Sequence, residues 1–172
     1  GGGTGAAESN IGVLVSDAAR VAAGGNGTTR LNGTGGLADG QSNHGISIWH
    51  ANTIVTSVGG DVILDGQGGG QGASGNNKGI QMGDSPVVTA GLLGNVTLTG
   101  IGGKGSGNAN DGISIGNHSI VTSASGDVTV TGQGGGIGVS KDNIGVAVSG
   151  AARITAGGSG ITRVHGTSGS SE

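Results

Sequence analysis

The chain has 172 residues, no cysteine and a net charge of −3, and 45 of its residues are glycine, where average usage of about 7% would give roughly 12. That composition excludes disulfide staples and thiolate chemistry. Scattered Lys and Arg leave no basic footprint for nucleic acid and no polybasic patch for anionic lipid. The sequence shows no apolar run of about 18 residues, signal peptide or lipidation motif, so no membrane insertion is expected of this segment.

One phrase, Asn-x-Gly followed by alternating apolar residues, sets the organisation. It begins at Asn10, Asn43, Asn77, Asn110 and Asn143, at intervals of 33, 34, 33 and 33 residues. A fixed period of that size is the mark of a solenoid. Dividing the chain at equivalent positions gives five coils, at 1–32, 33–65, 66–99, 100–131 and 132–165, with 166–172 starting a sixth. The array is read as part of a longer one.

In coil one the spacing predicts a strand through Val13 and Val15, a second centred on Val21, and a third carrying Thr29 and Leu31 inward. Coil two repeats this with Ile46/Ile48, Val55 and Val62/Leu64, and coil three with Ile80/Met82, Val88 and Val96/Leu98. Coil four has Ile113/Ile115, Val121 and Val128/Val130; coil five has Val146/Val148, Ile154 and Thr162/Val164. Period-two alternation of β-branched residues marks half-buried strands, and a Gly-rich connection of about ten residues leads from each third strand to the next Asn. No stretch has helical spacing with capping signals. The fold class is therefore all-β: a parallel β-solenoid with three short strands per coil. A lone coil buries too little to fold, so stability comes from stacking.

A longer period lies above the first. Residues 9–36 and 142–169 are identical at 18 of 28 positions, and coils two and four share "GISI", "IVTS" and "GDV". A four-coil super-repeat follows.

The most regular polar feature is the column Asn10, Asn43, Asn77, Asn110 and Asn143, expected to form a structural ladder of side-chain amides along the axis. The corner glycines Gly12, Gly45, Gly79, Gly112 and Gly145 are expected to serve either a positive φ or close contact between coils. The Gly-rich connections lack the Asp of a calcium-binding Gly-Gly-x-Gly-x-Asp nonapeptide: Ser74, Gly107 and Ser140 stand there. Asp61 and Asp127 share a turn two coils apart, a spacing that would suit paired carboxylates, but turn residues explain them more simply. Glu172 and the other acids form no pattern. His44, His50, His118 and His165 fall at different coil positions, which gives no metal cluster or triad. Neither cofactor nor catalytic residue is expected. An outward column, Thr56, Thr89, Thr122 and Thr155, is a possible surface for ice or glycan. Sequons stand at Asn26, Asn32, Asn95 and Asn117.

The phrases "GNVTLTG", "GDVTVTG" and "NxGIxI" resemble the β-strand-repeat regions of large bacterial surface proteins, the filamentous-haemagglutinin-like and autotransporter-passenger adhesins. The likeness spans the whole chain, although these coils are longer than the roughly 20-residue coils of that group. It implies a non-catalytic segment of an extracellular fibre, stalk or adhesin shaft at a bacterial surface. Its partners would be other copies, end to end or side by side, or other matrix and surface components. The alternatives are a glycan- or ice-binding solenoid and, less favoured, a polysaccharide-active β-helix enzyme, which would lose turnover on Asp61→Asn or Asp127→Asn.

Overall fold

The computed structural model describes Gly3 and residues 5–169. The last three residues of the expected sixth-coil start, Glu172 among them, lie outside them, as do Gly1, Gly2 and Thr4 of coil one. Coil one contains β1 (Val13–Val15), β2 (Arg20–Ala23) and β3 (Thr29–Thr34). Coil two contains β4 (Ile46–Trp49), β5 (Ile54–Ser57) and β6 (Val62–Gln67). Coil three contains β7 (Ile80–Gly83), β8 (Val87–Ala90) and β9 (Val96–Ile101). Coil four contains β10 (Ile113–Ile115), β11 (Ile120–Ser123) and β12 (Val128–Gln133). Coil five contains β13 (Val146–Val148), β14 (Arg153–Ala156) and β15 (Thr162–Thr167).

These strands form three parallel five-stranded sheets: β1-β4-β7-β10-β13, β2-β5-β8-β11-β14 and β3-β6-β9-β12-β15. Every strand pairs with its counterpart one coil away, so the molecule is a β-solenoid of five coils. Register follows the repeat without slippage: Ile113 pairs with Ile80 and Val146, and Val128 with Val96 and Thr162. A one-residue slip would turn each core column to solvent. Ile46, Ile48, Val55, Leu64, Ile80, Met82, Val88, Leu98, Ile113, Ile115 and Val130 fill the interior of coils two to four. The two terminal coils are less covered, and Val148 and Val164 of coil five are about half exposed, at 46% and 51%.

The corner glycines answer to space, not to backbone sign. None of Gly12, Gly45, Gly79, Gly112 and Gly145 has positive φ, so that part of the expectation is corrected. A Cβ on Gly112 would stand 2.4 Å from the Gln133 nitrogen and 2.6 Å from the Gly145 carbonyl oxygen, and Gly12, Gly45 and Gly79 are as tight against backbone. The positive φ falls instead on the residue before each ladder Asn: Ser9, Ser42, Asn76, Ala109 and Asp142, at 55° to 63°. These five take a left-handed conformation that L-residues adopt at a cost, and each coil makes its corner there.

The Gly-rich connections are themselves stacked. Gly70 N donates to Gly36 O at 2.9 Å, Gly136 N to Gly103 O at 2.7 Å, and a Cβ on Gly69 would lie 2.2 Å from Gly36 O. Small residues let backbone meet backbone between coils, which is why the glycine content is high.

Gly112→Ala forces backbone atoms apart at a contact of 2.4 Å to the Gln133 nitrogen, where no flexible side chain can yield. We expect a loss of about 3 kcal/mol, read as a lowered midpoint of chemical denaturation. An unchanged midpoint would show that the corner has slack.

Candidate functional site

The Asn column is a hydrogen-bonded ladder with a single direction. Each Asn Nδ2 donates to the Oδ1 of the Asn in the following coil, at 2.7 Å (Asn10 to Asn43), 3.2 Å (Asn43 to Asn77), 2.8 Å (Asn77 to Asn110) and 3.4 Å (Asn110 to Asn143). The backbone N–H of each donates to the same oxygen, at 3.0 to 3.2 Å. The Asn carbonyl ties down the Gly-rich connection that leads to the next Asn: Gly36 N donates to Asn10 O, Gly69 N to Asn43 O, Gly103 N to Asn77 O, and Gly135 N to Asn110 O. One residue therefore anchors that connection with its backbone and holds the next coil's Asn with its side chain. Asn43, Asn77 and Asn110 are fully buried, where an unpaired amide would be costly.

Ser74 and Ser140, three residues before their Asn, join this ladder. Ser74 Oγ lies 3.0 Å from Asn77 Oδ1 and Ser140 Oγ 3.0 Å from Asn143 Oδ1; Ser140 Oγ also donates to Gly107 O at 2.6 Å. These are the serines found where a calcium nonapeptide would carry Asp. Here they bond the backbone of the preceding coil.

The structure assembles a second group that reading residue types along the chain had missed. The position after each ladder Asn is Ile11, His44, Lys78, Asp111 and Ile144. Stacking brings the three polar members into one buried column on successive coils. Lys78 Nζ is 3.3 Å from Asp111 Oδ2 and also bonds Asn76 Oδ1. Asp111 Oδ1 accepts from Ile144 N at 3.0 Å, and His44 Nδ1 accepts from Lys78 N at 3.1 Å. Burial first, and the Lys78 ammonium second, push the His44 imidazole down to about 4, with Gln81 opposing. Because Nδ1 is an acceptor, the neutral ring carries its proton on Nε2. Beside this column the buried Ser47 Oγ and Gln81 Oε1 have no hydrogen-bond partner. The signal lay in the column rather than in the row: His, Lys and Asp occupy one repeat position, flanked by Ile.

The remaining candidates separate. Asp61 Oδ1 accepts from Asn95 N at 2.8 Å, Asn95 Oδ1 from Asp127 N at 2.9 Å, and Asp127 Oδ1 from Ile161 N at 2.8 Å. This is a second side-chain ladder, at the turn before the third sheet. The Ile161 amide first, then Arg163, holds the Asp127 carboxyl below its ordinary value. His50 pairs with Asp17 at 2.8 Å on the surface, and the described residues contain no cluster of three or more metal-ligating side chains. The Thr column is uneven. Thr56 is only 8% exposed, and Thr122 Oγ1 lies near Ser123 O while accepting from Thr155 Oγ1 at 3.3 Å. Trp49 is half-buried, with its ring lying over Gly83. All four sequon Asn residues are exposed.

Comparison with protein-family descriptions, curated proteins and solved structures finds no match to the chain. Among the described residues, no helix is long and apolar enough to cross a membrane.

Two predictions follow from the ladder and the column. Asn77→Ala strands the Asn43 N–H and removes one bond each from Asn43 Nδ2, which keeps Gly40 O, and from Asn110 Oδ1, which keeps the residue-77 N–H, at about 3 kcal/mol; Asn26→Ala on the surface should change stability by less than about 0.5 kcal/mol. For His44 the folded pKa lies below the unfolded 6.5, so the unfolded chain binds more protons between the two values. The contribution is complete above 6.5 and falls away as the pH drops toward about 4. At most about 3 kcal/mol is involved. Urea denaturation across that window should show this slope, and His44→Gln should flatten it.

Proposed function

We propose that this chain is a non-catalytic shaft segment of an extracellular fibre, stalk or adhesin at a bacterial surface. The carrying observation is the unbroken register of three parallel sheets over five coils, tied at the corner by a continuous Asn ladder. Such a stack transmits load along its axis, because each coil is bonded to the next through three strands and a side-chain column. Four residues that could have done chemistry, Asp61, Asp127, Lys78 and Asp111, hold neighbouring coils together. Asp61 and Asp127 accept turn amides, and the Lys78–Asp111 pair bridges coils three and four. The expected partners are other copies or other surface components alongside the shaft.

Pulling the protein from its two ends by single-molecule force measurement tests this. A shaft resists and then yields in coil-sized steps of about 110 Å, the extended length of about 33 residues. Smooth extension at negligible force, like that of a flexible linker, would overturn the reading.

A further inference from the structure

The open face of coil five is an interface with a defined partner. We infer that it accepts a coil of the coil-two sequence, in the same chain direction, and discriminates against a coil of the coil-one sequence. This refines the shaft reading by fixing how coils succeed one another, but the selectivity of the face holds whatever the rod is for.

The argument starts from the super-repeat. Coil five reproduces coil one, and coil one is already seen with a neighbour on the corresponding face: coil two. That interface uses residues that coil five retains. Ala18 N donates to Thr53 Oγ1 at 3.1 Å, and the counterpart is Ala151. Thr29 Oγ1 donates to Thr56 O at 2.6 Å, and its counterpart Thr162 stands at a core position that coils two to four fill with Val. Ser57 Oγ reaches back to Gly27 O at 2.6 Å, and the equivalent carbonyl belongs to Gly160. Arg20 lies in register with Ile54, and Arg30 pairs with Asp65 at 2.7 Å; the counterparts are Arg153 and Arg163. Asn143 ends the ladder with its N–H and Nδ2 facing the same way as those of Asn10, which meet Asn43. Arg163 leans on Asp127 of coil four, so a coil-two neighbour would give it a second carboxylate. Among the described residues, the exposed His50–Asp17 pair lacks a counterpart, because Gly150 replaces Asp17, and so does the Asn32 amide beside Asp65, because His165 stands in its place.

A coil-one neighbour reverses these matches. Strand pairing would set Arg153 directly on Arg20 and Arg163 directly on Arg30, at the roughly 4.8 Å spacing of adjacent strands. Like charges directly opposite destabilise a sheet. The Gly160 carbonyl would meet Ala23 in place of the Ser57 hydroxyl, and the Ala151 amide would lose the Thr53 hydroxyl. Both coils offer the same parallel backbone edge, so side chains make the choice, as in interfaces that reject wrong partners by unpaired charge.

The test extends the chain through Gly169 in two ways. One version continues with residues 37–67. The other continues with residues 37–42 followed by residues 10–34, which keeps the same connection and total length but appends coil one. A third version carries R20I and R30I in the appended coil-one segment, the Ile residues that coil two places at those positions. Amide exchange in β13, β14 and β15 is measured for each against the unextended protein. The coil-two extension should slow exchange there by about tenfold or more and raise the melting temperature. The coil-one extension should do neither to that extent, and R20I with R30I should recover part of the difference. Equal protection by both appended coils, or none from either, would overturn the inference. Failure of the pulling test would leave this result intact, because exchange reads the coil interface alone.

Discussion

A carboxamide can donate and accept at once along one line, and this fold depends on that property of Asn at one position per coil. The donor of one Asn finds the acceptor of the next, and the backbone N–H converges on the same oxygen. The Asn carbonyl meanwhile ties down the Gly-rich connection that leads to the next Asn. Substituting Asp would remove the donor; a longer amide would not fit a corner where a Cβ on Gly45 or Gly79 would stand 2.6 Å from a carbonyl oxygen of the next coil. The tight glycines and the left-handed residue before each Asn are consequences of bringing the side chain to that line. Burial makes the ladder decisive, since a vacant rung leaves amide groups with neither water nor a partner.

The ladder also gives the rod a direction. Donors face one end and acceptors the other, and parallel strands share that polarity, so coils add in one orientation only. The turn ladder through Asp61, Asn95 and Asp127 runs the opposite way, with each later amide donating to the earlier side chain. Two antiparallel chains of side-chain bonds therefore bracket the stack at separate corners. Between coils two, three and four, the His44–Lys78–Asp111 column adds contacts that a displaced coil would break. A buried ion pair is weak evidence for stability in itself; here its partners lie on different coils, which suits it to specifying which coil sits beside which.

The fold was legible in the sequence because a solenoid repeats its constraints. Once the Asn-x-Gly corner is aligned, Ile46, Ile80 and Ile113 fall into one column, and every strand follows from period-two alternation. The glycines were found but half explained, since close contact and positive φ both demand glycine and only coordinates separate them. Lys78 and Asp111 were invisible as a pair because their adjacency exists only across coils, at a repeat position that other coils fill with Ile. Thr56 looked like its neighbours Thr89 and Thr122 in alternation, but burial depends on what packs over a strand, which alternation does not encode. The proposed role rests on resemblance in phrasing, since the polar groups that the stack brings together, Asn43, Asn77, Asn110, Asp61 and Asp127, bond one coil to the next.

The measurement closest to the central claim is hydrogen exchange at the Asn side-chain amides, resolved by nuclear magnetic resonance. A continuous buried ladder requires the Nδ2 protons of Asn43, Asn77 and Asn110 to exchange far more slowly than those of the exposed Asn26, Asn52 and Asn117. Exchange at the same fast rate for all of them would show that the rungs are not made, and the corner would then need another explanation.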